Sequence, residues 1–217
     1  MDKSETLLSI RDMHTYYEDS YVLQGISLEV PQGKIIAILG RNGMGKTTLI
    51  RSIFGLTPPR LGSVEYKGQS LIGLAPFRIA QMGLALVPQG RRIFKNLSVK
   101  ENLLLPTSSL ARGIKKPLSD SHVAKQYWNI ETILDEFPQL RERLKNGGNE
   151  LSGGEQQRLS MARVFLKQAR WVFADEATSA LDESLEQAMY KKLLAMVNAN
   201  NGALVSVAHR PSVAAFH

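Results

Sequence analysis

From residue 40 to residue 48 the chain reads Gly40-Arg41-Asn42-Gly43-Met44-Gly45-Lys46-Thr47-Thr48. Gly40, Gly45, Lys46 and Thr47 fall in the spacing Gly-x-x-x-x-Gly-Lys-Thr, the Walker A pattern. Glycines admit backbone angles at which successive N–H groups point at phosphate oxygens, and a helix opening at the same place adds a positive dipole. Lys46 supplies a mobile positive charge for β- and γ-phosphates, and Thr47 a hydroxyl for Mg²⁺. Asn42, Gly43 and Thr48 complete the cradle expected around the phosphates. The predicted chemistry is that of a triphosphate.

Two further groupings bear on that chemistry. Asp175-Glu176 follows an apolar run; there the first carboxylate can hold Mg²⁺ and the second can orient or deprotonate an attacking water. Alone, such a pair reads more readily as an acidic cap on the next helix; beside the glycine loop the metal-and-water reading prevails. Leu151-Ser152-Gly153-Gly154-Glu155-Gln156 places a serine and two glycines at the start of a helix, a second anion site or a plain serine cap with a glycine hinge.

The elements that must position these residues can be read from periodicity. Runs at 7–10 and 26–30 predict strands near the N-terminus. The β-branched run at 34–39, apolar from Ile35 to Leu39, has the pattern of a strand buried on both faces of a parallel sheet, and it leads directly into the glycine loop and a helix over 49–54. A strand at 84–87 precedes Pro88-Gln89. Ser98-Val99-Lys100-Glu101 has capping-box spacing and predicts a helix to 105, followed by a loop-like stretch over 106–121. Ile130, Ile133, Leu134 and Phe137 fall at helical spacing until Pro138 interrupts. A long helix is expected from Ser152 to about 169, then a strand over 171–174, a helix carrying Leu185, Met189, Leu193 and Val197, and a strand over 203–208 ending at His209. Alternating strands and helices imply a mainly parallel sheet whose ligands bind beyond the carboxyl ends of its strands. The candidate residues cluster at those ends.

In this order the motifs resemble those of the ATP-binding cassette (ABC) ATPases, over nearly the whole of the chain. The resemblance implies an α/β fold: a P-loop, RecA-like core with a mainly parallel sheet, an N-terminal antiparallel β-subdomain and an inserted α-helical subdomain. Leu151-Ser152-Gly153-Gly154-Glu155-Gln156 resembles the family's signature sequence, and one domain over 1–217 would divide into core (1–97), helical subdomain with that signature (98–168) and returning core (169–217). It also implies roles. Tyr17, or less readily Tyr16, matches the aromatic that stacks on adenine, and Gln89 the glutamine that reaches Mg²⁺ and the attacking water. Asp175 matches the metal-side carboxylate beside Thr47 and Gln89, and Glu176 the catalytic base. Asp182 matches the loop that crosses the dimer interface, and His209 the switch histidine at the γ-phosphate. Ser152, Gly153 and Gly154 would face the triphosphate held by Lys46 of a second copy, in a head-to-tail dimer that works on transmembrane subunits. The implied cofactors are ATP and Mg²⁺.

Up to the signature, stretches such as Gly83-Leu84-Ala85-Leu86-Val87-Pro88-Gln89-Gly90-Arg91-Arg92 are similar to the branched-chain amino acid importer branch. Asp175-Glu176-Ala177-Thr178-Ser179-Ala180-Leu181-Asp182 and His209-Arg210-Pro211-Ser212 are instead similar to fused exporter-type domains. The expectation is a joined or recombined chain with an importer-like front, and only eight residues follow His209 where the family usually adds further elements.

Composition sets the outer bounds. The 217 residues are 43% hydrophobic and 22% charged, the balance of a folded globular chain, and they include no cysteine. That excludes disulfides, thiolate zinc sites and a cysteine nucleophile, and fits a cytosolic chain. No apolar stretch approaches a membrane span and no secretory leader is visible. The net charge is +7, nearly all of it between residues 91 and 116, where seven basic residues (Arg91, Arg92, Lys95, Lys100, Arg112, Lys115 and Lys116) stand against Glu101 alone. Such a patch can be a solvated face, or can meet nucleic acid or an anionic surface. Without interleaved aromatics, nucleic acid is the weaker expectation. A cytoplasmic ATPase held peripherally at the inner face of the plasma membrane is the stronger one.

Overall fold

The computed structural model describes residues 6–89, 93–110, 128–175 and 183–207. Two long strands open the fold: β1 (Thr6–Tyr17) and β2 (Ser20–Pro31) pair antiparallel. The N-terminal strands are therefore much longer than the runs at 7–10 and 26–30. Their ends carry tyrosines, serines and charged residues that hide the alternation, and irregular register breaks it again between Ile10 and Tyr16. On the other side of β1 lie β4 (Leu61–Tyr66) and the two-residue β5 (Gln69–Ser70), completing an antiparallel sheet of order β2-β1-β4-β5.

The second sheet is parallel. β3 (Ile35–Ile38), β6 (Leu84–Val87), β7 (Trp171–Asp175) and β8 (Ala203–Val207) stand in the order β3-β8-β7-β6. Every residue of β7 and β8 is buried. β3 is half-buried along its length, which corrects the expectation of a strand covered on both faces: it is an end strand among those described. Side chains alternate across this sheet, as a period of two requires. Leu84, Trp171, Phe173, Val205 and Val207 enter one core with the antiparallel sheet, α1 (Lys46–Ile53) and Ile79 of the short α2 (Pro76–Gln81). Ala85, Val87, Val172, Ala174 and Leu204 enter a second core with the remaining helices.

Those helices are α3 (Val99–Leu110), α4 (Ile130–Glu136), α5 (Pro138–Glu142), α6 (Gly153–Lys167) and α7 (Glu183–Ala199). The capping box at Ser98 forms, with Glu101 accepting from both the Ser98 amide and its hydroxyl. α3 does not stop at 105 as expected. It runs through Pro106, because Val99 and Leu103 are fully buried and anchor it. The Thr107 hydroxyl donates to the Leu104 carbonyl at 2.7 Å, in the turn where the proline ring has removed a donor. Pro138 does end α4, but it also opens α5, since proline suits the first helical position. Among the described residues, no helix is long and apolar enough to cross a membrane.

Candidate functional site

Parallel pairing brings the carboxyl ends of the strands level. Ile38 of β3 and Asp175 of β7 both lie opposite Val207 of β8, and Val87 lies opposite Ala174. The glycine loop leaves β3 at this edge, and Gln89 follows β6 two residues beyond its end, exposed. One edge of one sheet thus collects residues separated by well over a hundred positions in the chain.

Within the loop, Gly45 sits just before α1 with φ 85°, a left-handed angle that costs any side-chain-bearing residue. A Cβ there would also lie 2.8 Å from Cδ2 of Leu23. Gly45→Ala is expected to destabilise the fold by about 1–3 kcal/mol, to be measured by denaturant unfolding.

The first residue of α1 is Lys46, 9% exposed. Its ammonium donates to the carbonyls of Gly40 at 2.7 Å and Arg41 at 2.8 Å. The loop is thereby closed on its own lysine, while Arg41, Asn42, Gly43 and Met44 stay exposed around it. Next to it, the Thr47 hydroxyl donates to Oδ1 of Asp175 at 3.2 Å. Asp175 is 2% exposed, so a buried carboxylate and a hydroxyl converge at the head of the helix. Thr48 is buried beneath the loop. A hydroxyl and a carboxylate are hard oxygen donors of the kind Mg²⁺ takes alongside substrate phosphates.

Tyr17 is half-exposed at the end of β1. Burial of its hydroxyl opposes ionisation, yet bonds from the Thr57 and Thr48 side chains and the nearby Arg51 guanidinium outweigh it and hold the phenol below its usual range. Tyr17 thus reaches toward α1. Tyr16 instead stacks on Tyr21 with ring centroids 4.4 Å apart, and the Arg60 guanidinium lies over its ring. Arg51 and Thr57 carried no signal in the sequence; only the fold sets them beside Tyr17.

Ser152 caps α6 with a full capping box: its hydroxyl accepts from the Glu155 amide and its own amide donates to Glu155 Oε2 at 2.7 Å. Gly153 and Gly154 form the first turn. No hydrogen bond or ion pair among the described residues joins this helix end to the loop at 40–48. Glu176, Asp182 and His209, with residues 177–181, lie outside the described residues, as do Arg91, Arg92, Arg112, Lys115 and Lys116 of the basic window. Lys95 and Lys100 are exposed.

Glu155 is held below the usual carboxylate range, first by the Ser152 hydroxyl and then by its amide, with Arg143 adding charge at 3.6 Å against some burial. A depressed folded-state pKa contributes stability above the unfolded value of about 4.5, and that stability is lost as pH falls through the folded pKa. The thermal midpoint of Glu155→Gln is therefore expected to lie below that of the parent near neutral pH, and the gap to close as pH drops below that range.

The sequence model of the ABC transporter family matches residues 23–179. The chain is 32% identical over 185 residues to the high-affinity branched-chain amino acid transport ATP-binding protein BraG of Pseudomonas aeruginosa, covering 85% of this chain and 75% of that one. The chain belongs to the ABC transporter family. Its fold is also that of the solved ATP-binding subunit of an ABC transporter, with TM-score 0.76 and 27% identity over 93% of this chain and 79% of that one. A bacterial Atm1-family ABC exporter with ATP bound matches with TM-score 0.77 and 26% identity over 99% of this chain and 36% of the longer exporter. The ABC cassette described above is the ATP-binding, ATP-hydrolysing subunit of a transporter.

Proposed function

We propose that this ABC subunit hydrolyses ATP between two copies arranged head to tail, and that the transporter it drives is of the amino-acid importer type. The observation that carries the reading is the convergence of Lys46, Thr47 and Asp175 at the carboxyl edge of the parallel sheet. In it, main-chain amides of 40–48 receive the phosphates, and Lys46 exchanges two carbonyl partners for phosphate oxygens. Tyr17 supports the adenine. Thr47, Asp175 and Gln89 would hold Mg²⁺, which offsets the charge of the β- and γ-phosphates. Glu176 takes the proton of the attacking water, and His209 meets the γ-phosphate.

Ser152, Gly153 and Gly154 begin a helix fifteen residues long, whose aligned peptide dipoles favour an anion at that end. In this reading the anion is the γ-phosphate of the opposite copy, with Asp182 at the crossing. Loss of that phosphate removes the contact and lets the copies part, a population shift driven by differential binding. A transmembrane partner docks at the inner face of the membrane, on the side of Gln89 and α3, where Lys95 and Lys100 are exposed.

ATP turnover of the isolated chain, followed across protein concentration, tests the shared site. Second-order dependence supports it, and a rate per molecule independent of concentration removes it. The importer assignment leans on BraG. The exporter reading is favoured by the match to the Atm1-family structure over 99% of the chain. A recombined chain with an importer-like front would account for both likenesses. A natural reading frame continuous across the junction in related genomes would count against recombination.

A further inference from the structure

Asn102 was not among the residues singled out by motif, yet it is completely buried. Asn102 and Leu103 follow Val99 by three and four residues, so the three lie on one helical face, and all are fully buried. Its side chain acts as a second backbone. Oδ1 accepts from the Phe94 amide at 3.0 Å, while Nδ2 donates to the carbonyls of Phe94 at 2.9 Å, Ser98 at 3.0 Å and Leu97 at 3.2 Å. The segment 93–98 is thus folded around a single amide.

The same segment is sewn to the one that precedes the signature serine. Gly148 donates to Leu97 at 2.9 Å and Asn149 to Lys95 at 3.1 Å, and Val99 donates to Asn146 at 3.0 Å and Lys100 to Leu144 at 3.1 Å. Gly148 approaches so closely that a Cβ would lie 2.9 Å from the Phe94 carbonyl oxygen and 3.1 Å from Cα of Lys95. From there Gln156 of α6 donates to the carbonyls of Gly148 at 3.3 Å and Leu151 at 2.9 Å, and the Arg163 guanidinium of α6 lies 4.9 Å from the Phe94 ring centroid. Asn102, segment 93–98, residues 144–151 and α6 form one hydrogen-bonded body with Ser152 at its tip.

We propose that Asn102 is a positioning residue for ATP hydrolysis, seating Ser152 through this body so that the serine meets the opposite copy's triphosphate at a fixed place. The inference rests on the reading that Ser152 contacts nucleotide. A loosened tip leaves ATP binding at the loop of 40–48 intact and misplaces only the group that completes the site. Small misplacements of this kind cost up to about 100-fold in rate.

Asn102→Asp keeps the shape and one acceptor but turns an oxygen toward three carbonyls. With Mg-ATP as substrate, kcat per folded molecule is expected to fall about 10- to 100-fold, with the affinity for ATP unchanged, the folded fraction being read from thermal unfolding. In a double-mutant cycle with Gly148→Ala, the two losses in kcat combine less than additively, because both act on segment 93–98. A purely structural role would lower activity only in proportion to the folded fraction, and that outcome overturns the proposal. Ser152→Ala runs alongside. If it loses turnover while Asn102→Asp keeps full kcat, the positioning role is rejected and the site reading stands. If Ser152→Ala itself leaves kcat unchanged, the site reading falls and takes the positioning role with it. Should Asn102→Asp not fold, Gly148→Ala decides alone, and full kcat there overturns the proposal.

Discussion

Glu176→Gln is expected to bind ATP as tightly as the parent chain and to hydrolyse it about 10²–10⁴-fold more slowly, the contribution of a positioned general base. Asp175 ends β7 as a buried side chain that accepts the Thr47 hydroxyl, so the first carboxylate of the pair is committed to the loop side of the site. The next residue is the one left for the water. Exchanging carboxylate for amide preserves size and removes the proton acceptor, so binding and turnover should separate cleanly. Equilibrium titration with ATP and steady-state phosphate release measure the two. Undiminished phosphate release would assign the base elsewhere.

Lys46→Ala is expected to weaken ATP binding about 10- to 100-fold. A hydrogen bond to a charged group contributes about 1.5–3 kcal/mol, and each 1.4 kcal/mol is about tenfold in affinity. Lys46 is 9% exposed as a residue and its ammonium is bonded to the Gly40 and Arg41 carbonyls, so the substitution removes both the phosphate's partner and the clasp that closes the loop. Calorimetric titration with ATP checks the affinity. If the dissociation constant stayed where it was, the glycine loop would not be the phosphate cradle.

How much of this was legible beforehand varied with the physics involved. The loop at 40–48, the carboxylate ending β7 and the serine cap of α6 could be read because each depends on local residue type and spacing. The meeting of Thr47 with Asp175 followed from parallel topology, which the alternation of strands and helices implied. The full length of β1 and β2 was hidden, since Tyr16, Tyr17 and Tyr21 at the hairpin end give no alternating pattern. β4 and α2 were missed because neither carries an apolar run: β4 reads Leu-Gly-Ser-Val-Glu-Tyr with only Val64 and Tyr66 buried, and α2 buries Ile79 alone. Pro106 misled because helix propensity is weighed locally, whereas Val99 and Leu103 hold α3 from the core. Asn102 carried a signal that was passed over: an amide on an otherwise apolar helical stripe must find partners inside.

The alternation of β7 and β8 between two cores also bears on how the molecule opens. Trp171 and Phe173 belong to one core and Val172 and Ala174 to the other, so neither half can melt while keeping these strands intact for its neighbour. Their amides should exchange with deuterated solvent only through global unfolding, whereas partial opening would be confined to the outlying hairpin and short helices. The central sheet acts as a party wall: both tenants depend on it, and a flaw introduced from either side is felt in both rooms.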